Sequence, residues 1–166
     1  MEKFDVGVIG GGPGGYVAAI RAAQLGARVA LIEKDEVGGT CLLRGCIPTK
    51  AFLASAEMLA KTREAEEFGV SVGDVGLNYP KVLERKNAIV QKLVGGVHSL
   101  LKARKIEYVR GEGRLLGGGR VGVTLSQGQA RGECDKIIVA TGSAPTKPEM
   151  FKIDGVNVIT DRKSVV

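Results

Sequence analysis

The stretch FDVGVIGGGPGGYVAAIRAAQLGARVALIEK, Phe4 to Lys34, decides the fold. FDVGVIG reads as a short buried strand. A glycine turn follows and opens into an alanine-rich helix that ends at Gly26. RVALIEK is a second buried strand, so the stretch spells a βαβ unit. The turn carries G-x-G-x-x-G at Gly10, Gly12 and Gly15. In such a turn the first glycine allows the tight bend and the second lets a pyrophosphate approach the backbone. The third lets helix and strand pack closely. The helix N-terminus offers N–H groups and the positive end of its dipole to phosphates. Glu33, eighteen residues after Gly15, ends the second strand where a carboxylate can accept hydrogen bonds from a ribose. The candidate dinucleotide-binding residues of this unit are Gly10, Gly12, Pro13, Gly14, Gly15, Glu33 and Lys34. The pattern points to an adenine dinucleotide without separating FAD from NAD.

Working outward, GGTCLLRGCIPTK (Gly38 to Lys50) sets Cys41 and Cys46 five positions apart. Residues five apart on a regular helix are separated by ~7.5 Å along its axis. A disulfide wants Cα atoms ~4.4–6.8 Å apart. A bridged pair here therefore requires a loop or a distorted first turn, and Gly45 supplies the freedom for one. Pro48 suits the start of a helix, and the following TKAFLASAEMLAKTREAEEF is rich in helix formers. Lys50, four residues after Cys46, shares its face, and both a cation and a helix N-terminus favour thiolate over thiol. Other readings of the residues stand beside a reactive pair: two unrelated thiols, a structural disulfide, or a zinc site completed by Cys134 and His98.

The bulk numbers narrow the field. The chain has 166 residues, 44% hydrophobic and 25% charged, which suits one soluble domain with a real core. A net charge of +6 comes from lysines and arginines scattered without a dense block, so no nucleic-acid surface is expected. No run approaches the ~18 apolar residues of a membrane span, and MEKFDVGVIGGG goes directly into a strand instead of a signal peptide. The expected compartment is the cytoplasm, where three cysteines point to redox or metal chemistry over a disulfide framework.

Further along, YPKVLERKNAIVQKLVGGVHSLLKARK places Val82, Ile89, Leu93, Val97 and Leu100 close to helical spacing. This predicts a second long helix pairing with the first. Gly95 and Gly96 inside it predict a close packing contact, because each costs ~1 kcal/mol relative to alanine. His98, the only histidine, reads as structural. Residues Ile106 to Ser143 read as strands between glycine turns, at GGG (Gly117 to Gly119) and SQGQ around Gly128. They form a β-meander followed by a buried strand, KIIVATG, with Cys134 a small strand residue.

Together the Rossmann turn, the acid ending the second strand and GGTCLLRGCIPTK resemble the FAD-containing pyridine nucleotide–disulfide oxidoreductases, most closely their dihydrolipoyl-oxidising branch. The resemblance covers Lys3 to Asp161. It implies an α/β fold: a Rossmann-like FAD-binding domain with a parallel sheet, a three-stranded β-meander and a long helical pair. It also implies that Cys41 and Cys46 form a disulfide lying against the flavin. Cys41 would be the interchange thiol, Cys46 the sulfur next to the flavin, and Lys50 a residue tuning the ring. Gly39 and Thr40 would lie along the pyrophosphate. Gly113, in GEG (Gly111 to Gly113), would meet the adenine. Ala140, Thr141, Gly142 and Ser143 would close over the FAD. Leu43 stands where the family usually has asparagine, but it leaves both sulfurs in place. GCIPTK favours lipoamide over glutathione or mercuric ion, the alternatives within the family. A flavin-binding module without turnover is the alternative outside it. Residues 1–150 are expected to be the FAD-binding domain. Residues 151–166 would begin the connection to an NAD-binding domain, with RKSVV departing from the family. A whole family member would continue into NAD-binding and dimer-interface domains, act as a homodimer on the dihydrolipoyl group of an acyltransferase or carrier protein, and need those parts for NAD-linked turnover.

Overall fold

The computed structural model describes residues 2–125 and 128–163. Strand β1 (Glu2–Ile9) leads into helix α1 (Pro13–Gln24) and strand β2 (Val29–Glu33). A short helix α2 (Gly39–Arg44) is followed at once by α3 (Cys46–Arg63). A 3₁₀ turn and an irregular segment then lead to the long helix α4 (Tyr79–Ala103). Four strands complete the chain: β3 (Glu107–Arg110), β4 (Glu112–Gly117), β5 (Arg120–Thr124) and β6 (Gln129–Val139). All six strands form one sheet in the order β3-β2-β1-β6-β5-β4. Strands β3, β2, β1 and β6 are parallel, whereas β6, β5 and β4 run antiparallel.

The strand period of two divides the core. Val8, Val29 and Leu31 face the helices with Val90, Val94, Val97 and Leu101 of α4. Ile9, Ala30 and Ile32 point the other way, onto Val121 and Val123 of β5 and Cys134 of β6. Leu31 and Leu101 are completely buried, and each such side chain contributes about 1.5–3 kcal/mol of burial. Asn78 caps α4, its side chain accepting from the Lys81 N–H at 3.2 Å.

The α/β class, the parallel sheet, the meander and the helical pair are all present. Four details differ from the sequence reading. The meander's third strand and the expected buried strand are one element: β6 pairs antiparallel with β5 from Gln129 to Glu133 and parallel with β1 from Gly132 to Val139, which takes in its whole second half. That second half is not buried, since Ile138 and Val139 are exposed. The buried stripe of α4 runs through Val90, Val94, Val97 and Leu101, so Leu93 and Leu100 are exposed while Val97 is buried. Lys86 continues the stripe, its ammonium 5.7 Å from the Phe52 ring centroid on α3, which keeps a long polar side chain at an apolar position. Finally, Gly95 and Gly96 are exposed and a Cβ on either would meet nothing within 4 Å, so no close contact explains them. Of the SQGQ turn, Ser126 and Gln127 lie outside the described residues, as do Ser164, Val165 and Val166 of the C-terminal RKSVV. No helix among the described residues is long and apolar enough to cross a membrane.

Candidate functional site

The glycine turn sits at the C-terminal edge of the sheet, where β1 has β2 on one side and β6 on the other. Chain connections diverge there, and open α/β sheets bind ligands in that crevice. The Gly10 N–H bonds to Ile32 O and the Ala140 N–H to Ile9 O, each at 2.8 Å, which brings the turn against the end of β6. Gly10 has φ +108°, and a Cβ there would come 2.2 Å from Ala140 O. A Cβ on Gly15 would come 1.7 Å from Gly10 O, so helix and turn touch backbone to backbone. No side chain caps α1, which leaves its positive end to whatever occupies the crevice. Glu33 is braced: Oε2 accepts from the Gly11 N–H at 2.6 Å and Oε1 from the Asp35 N–H at 2.8 Å. A carboxylate has about four acceptor positions, so capacity for ribose hydroxyls remains.

The two cysteines lie on either side of a broken helix. Gly45, at φ −146° and ψ −112°, ends α2 and starts α3. The break brings Cys41 and Cys46 to a Cα separation of 4.7 Å, and they are disulfide-bonded. Cys46 is the first residue of α3, where the helix dipole stabilises a thiolate. This arm is docked on the glycine turn. The Gly38 N–H bonds to Gly11 O at 2.9 Å, and a Cβ on Gly39 would fall 2.6 Å from the Gly12 Cα.

An open cleft of about 820 Å³ results. Gly12, Pro13 and Gly14 line it together with Ala140, Thr141, Gly142 and Ser143. Glu33, Lys34, Gly39, Thr40, Cys41 and Cys46 line it as well. A smaller hollow of about 220 Å³ shares Glu33, Lys34 and Thr141 and adds Gly10 and Gly113. Gly15 lies behind the wall, in contact with Gly10. Lys50 is exposed on α3 and lines neither space.

The cleft also contains residues that sequence reasoning did not single out. Asp35 binds Arg44, Glu36 binds His98 at 2.8 Å, and Arg162 reaches in from the C-terminal segment. The acids following Glu33 offered a signal, but Arg162 and the His98 contact across 62 positions offered none. The zinc reading is not supported by placement. His98 pairs with Glu36, while Cys134 is buried on β6 against Gly7. Among the described residues no three His, Cys, Asp or Glu side chains are grouped to hold a metal. Burial, and then Asp135, pushes the Cys134 thiol up, making it inert beside the pair in the cleft.

A dinucleotide turn whose wall is shared with a disulfide defines a class of redox protein. Residues 4–165 match the pyridine nucleotide-disulphide oxidoreductase family, and the chain belongs to it. Within that family its similarities run to dihydrolipoyl dehydrogenases. That of Bacillus subtilis (strain 168) is 45% identical over 172 residues, covering 98% of this chain and 36% of its own length. That of Chlamydia trachomatis is 47% identical over 144 residues, covering 87% and 31%. Among solved structures, LpdA of Mycobacterium tuberculosis aligns at a TM-score of 0.87 and 25% identity, over 98% of this chain and 36% of that one. The HOCl-induced flavoprotein disulfide reductase RclA of Escherichia coli, a Cu(II) complex, aligns at 0.75 and 27% identity, over 90% and 31%. The chain therefore spans about a third of the length of these relatives.

Proposed function

We propose that the cleft holds FAD and that the Cys41–Cys46 disulfide accepts two electrons from a dihydrolipoyl dithiol, the work of a dihydrolipoyl dehydrogenase. The observation that carries this reading is the common wall: Gly39 of the disulfide arm touches Gly12 of the dinucleotide turn. The donor set fits the cofactor. Gly12 and Gly14 leave room where side chains would intrude, with nothing closer than 3.8 Å to a Cβ on either. The uncapped α1 N-terminus suits the pyrophosphate, Glu33 the ribose, and the hollow beside Gly113 the adenine. Gly39, Thr40 and residues 140–143 complete the enclosure.

Electron entry is a thiol–disulfide exchange. A substrate thiolate attacks Cys41 Sγ, the Cys41–Cys46 bond breaks, and Cys46 leaves as a thiolate held by the α3 N-terminus. The second substrate sulfur then attacks the first, closing the substrate disulfide and expelling Cys41. The substrate is oxidised by two electrons and the cysteine pair reduced. One proton stays on Cys41 and one passes to solvent. Lys50 follows one turn beyond Cys46 on the same helix, outside the cleft lining, and its cation would favour the Cys46 thiolate. When bound, FAD would supply a two-electron acceptor for the reduced cysteine pair, and NAD would be the final acceptor for the whole enzyme.

Residues 1–150 are the FAD-binding unit and 151–166 begin the connection to an NAD-binding domain. The whole protein is a cytoplasmic homodimer working on lipoyl groups carried by an acyltransferase or carrier protein. Absorption spectroscopy of the purified chain after incubation with FAD and removal of free flavin tests the central reading. A retained flavin band that gains a long-wavelength shoulder on mild dithiol reduction is expected. A colourless protein with a reducible disulfide would refute the cofactor assignment.

A further inference from the structure

His98 lies on α4, behind the cofactor cleft, yet it reaches the cleft wall through one contact. Its Nε2 is 2.8 Å from Glu36 Oε1, and Glu36 lines the cleft. The same Oε1 accepts the Val37 N–H at 2.9 Å, immediately before the Gly38–Gly11 hydrogen bond that docks the disulfide arm. On its other side the imidazole meets the Tyr108 ring edge-on, at 5.1 Å between centroids, which fixes its orientation. Both His98 and Glu36 are half-buried. The pair is thus the brace of the segment joining β2 to α2, and it adds or removes a charge at the ligand's wall.

Imidazole is the ordinary side chain that changes charge near neutrality, and His98 is the only histidine in the chain. Tyr108 on β3 is pushed up to about 12, by burial first and then by Glu36 and Glu33, and stays a neutral phenol. The basic side chains nearby are Arg110 on β3, Lys34 after β2 and Lys102, one turn further along α4. Glu33 receives two backbone N–H groups, and Asp35 is paired with Arg44 of α2. Imidazoles titrate between pH 5 and 8. A protonated imidazole would make the brace an ion pair and offset the Glu36 charge, whereas a neutral one would leave that carboxylate opposite only a neutral donor.

We propose that His98 is a positioning residue that makes the cleft's hold on a phosphate-bearing dinucleotide depend on pH, through Glu36. This rests on the FAD reading above. Protonated His98 cancels a negative charge facing an anionic ligand and tightens the brace on the disulfide arm, so binding weakens as pH rises. Reciprocally, the bound dinucleotide favours the protonated imidazole.

The test is the FAD dissociation constant of the full chain between pH 5.5 and 8.5, measured by flavin fluorescence. Wild type is expected to weaken about three- to tenfold across the range, as for one charge near a partly solvated wall. His98→Lys, which keeps a cation against Glu36, should hold the low-pH affinity throughout. His98→Asn and Glu36→Gln should each be flat. His98 is the only histidine, so its imidazole proton resonance reports protonation directly, and FAD added near the midpoint should shift it toward the cationic position. An unchanged slope in His98→Asn, or no shift of the imidazole on FAD binding, would overturn the proposal while leaving the FAD reading intact. Failure of wild type to bind FAD at every pH would remove both.

Discussion

Gly15→Ala is the sharpest test of how the cleft is built. The added methyl would stand 1.7 Å from Gly10 O and 2.8 Å from Gly10 C. Both atoms are backbone in the tight turn itself, so no side chain can rotate away. An ordinary carbon contact is ~3.5 Å, so α1 must lift off the turn by roughly 1.5 Å or more. Overpacking of this kind costs about 1–3 kcal/mol. It also moves the helix N-terminus away from the phosphates it is proposed to meet, and displacements near 1 Å are enough to cost a site much of its function. The neighbouring Gly14→Ala is the control, since nothing lies within 4 Å of its Cβ. Urea denaturation should show a lower midpoint at unchanged slope for Gly15→Ala, with Gly14→Ala within about 0.5 kcal/mol of wild type. FAD binding should weaken about tenfold or more in the first variant, the equivalent of losing about 1.4 kcal/mol. Equal stability of the two variants would refute the backbone contact, and with it the account of why the third glycine is there.

Other consequences are accessible to the same methods. Gly95→Ala and Gly96→Ala face open space on α4 and should each stabilise the chain by about 0.5–1 kcal/mol; destabilisation in urea would restore the packing contact that the structure removes. Tyr108 has a buried hydroxyl without a hydrogen-bond partner among the described residues, so Tyr108→Phe should be neutral or stabilising by about 1 kcal/mol in thermal unfolding, and a clear loss would reveal a partner for that oxygen. Titration of the native chain with an aromatic disulfide reagent should find no fast thiol before mild dithiol reduction and two after it. Cys134 is the free cysteine, and it is buried; a third fast thiol would show it exposed.

The βαβ unit was legible because it depends on local constraints, and so was the need for a bend at Gly45, whereas the pairing of Cys41 with Cys46 came from the family resemblance. A turn that must pass a backbone within contact distance of another accepts only glycine, and Gly10, Gly15 and Gly39 leave that mark in the chain whatever surrounds them. The α4 stripe was legible as a helix but not in its facing. Valines and leucines alternate along it closely enough that periodicity alone admits two stripes, and only packing against Val8 and Leu31 selects Val90, Val94 and Leu101. Gly95 and Gly96 misled because the cost of a helical glycine implies a reason, and the structure supplies no contact as that reason. The second half of β6 reads as buried from KIIV, yet burial depends on a covering layer that a strand's own residues do not encode.

Seen from the cleft, these local rules have a joint consequence. The glycine turn and the disulfide arm are separated by more than twenty residues, yet the Gly38–Gly11 hydrogen bond and the Gly39–Gly12 contact make them one wall. Glu33 reinforces it from below by bracing Gly11 and Asp35 with its two oxygens. A ligand that pulls on the turn must therefore also move the sulfurs, since no flexible side chain intervenes to absorb the shift. The arm follows through α2, because the Gly45 break leaves Cys41 tied to Cys46 and the α3 N-terminus. Redox chemistry at the pair and dinucleotide binding at the turn are accordingly expected to report on each other. A disulfide reduced with FAD bound should show a different flavin affinity from the oxidised form, and equal affinities would mean the shared wall is compliant after all.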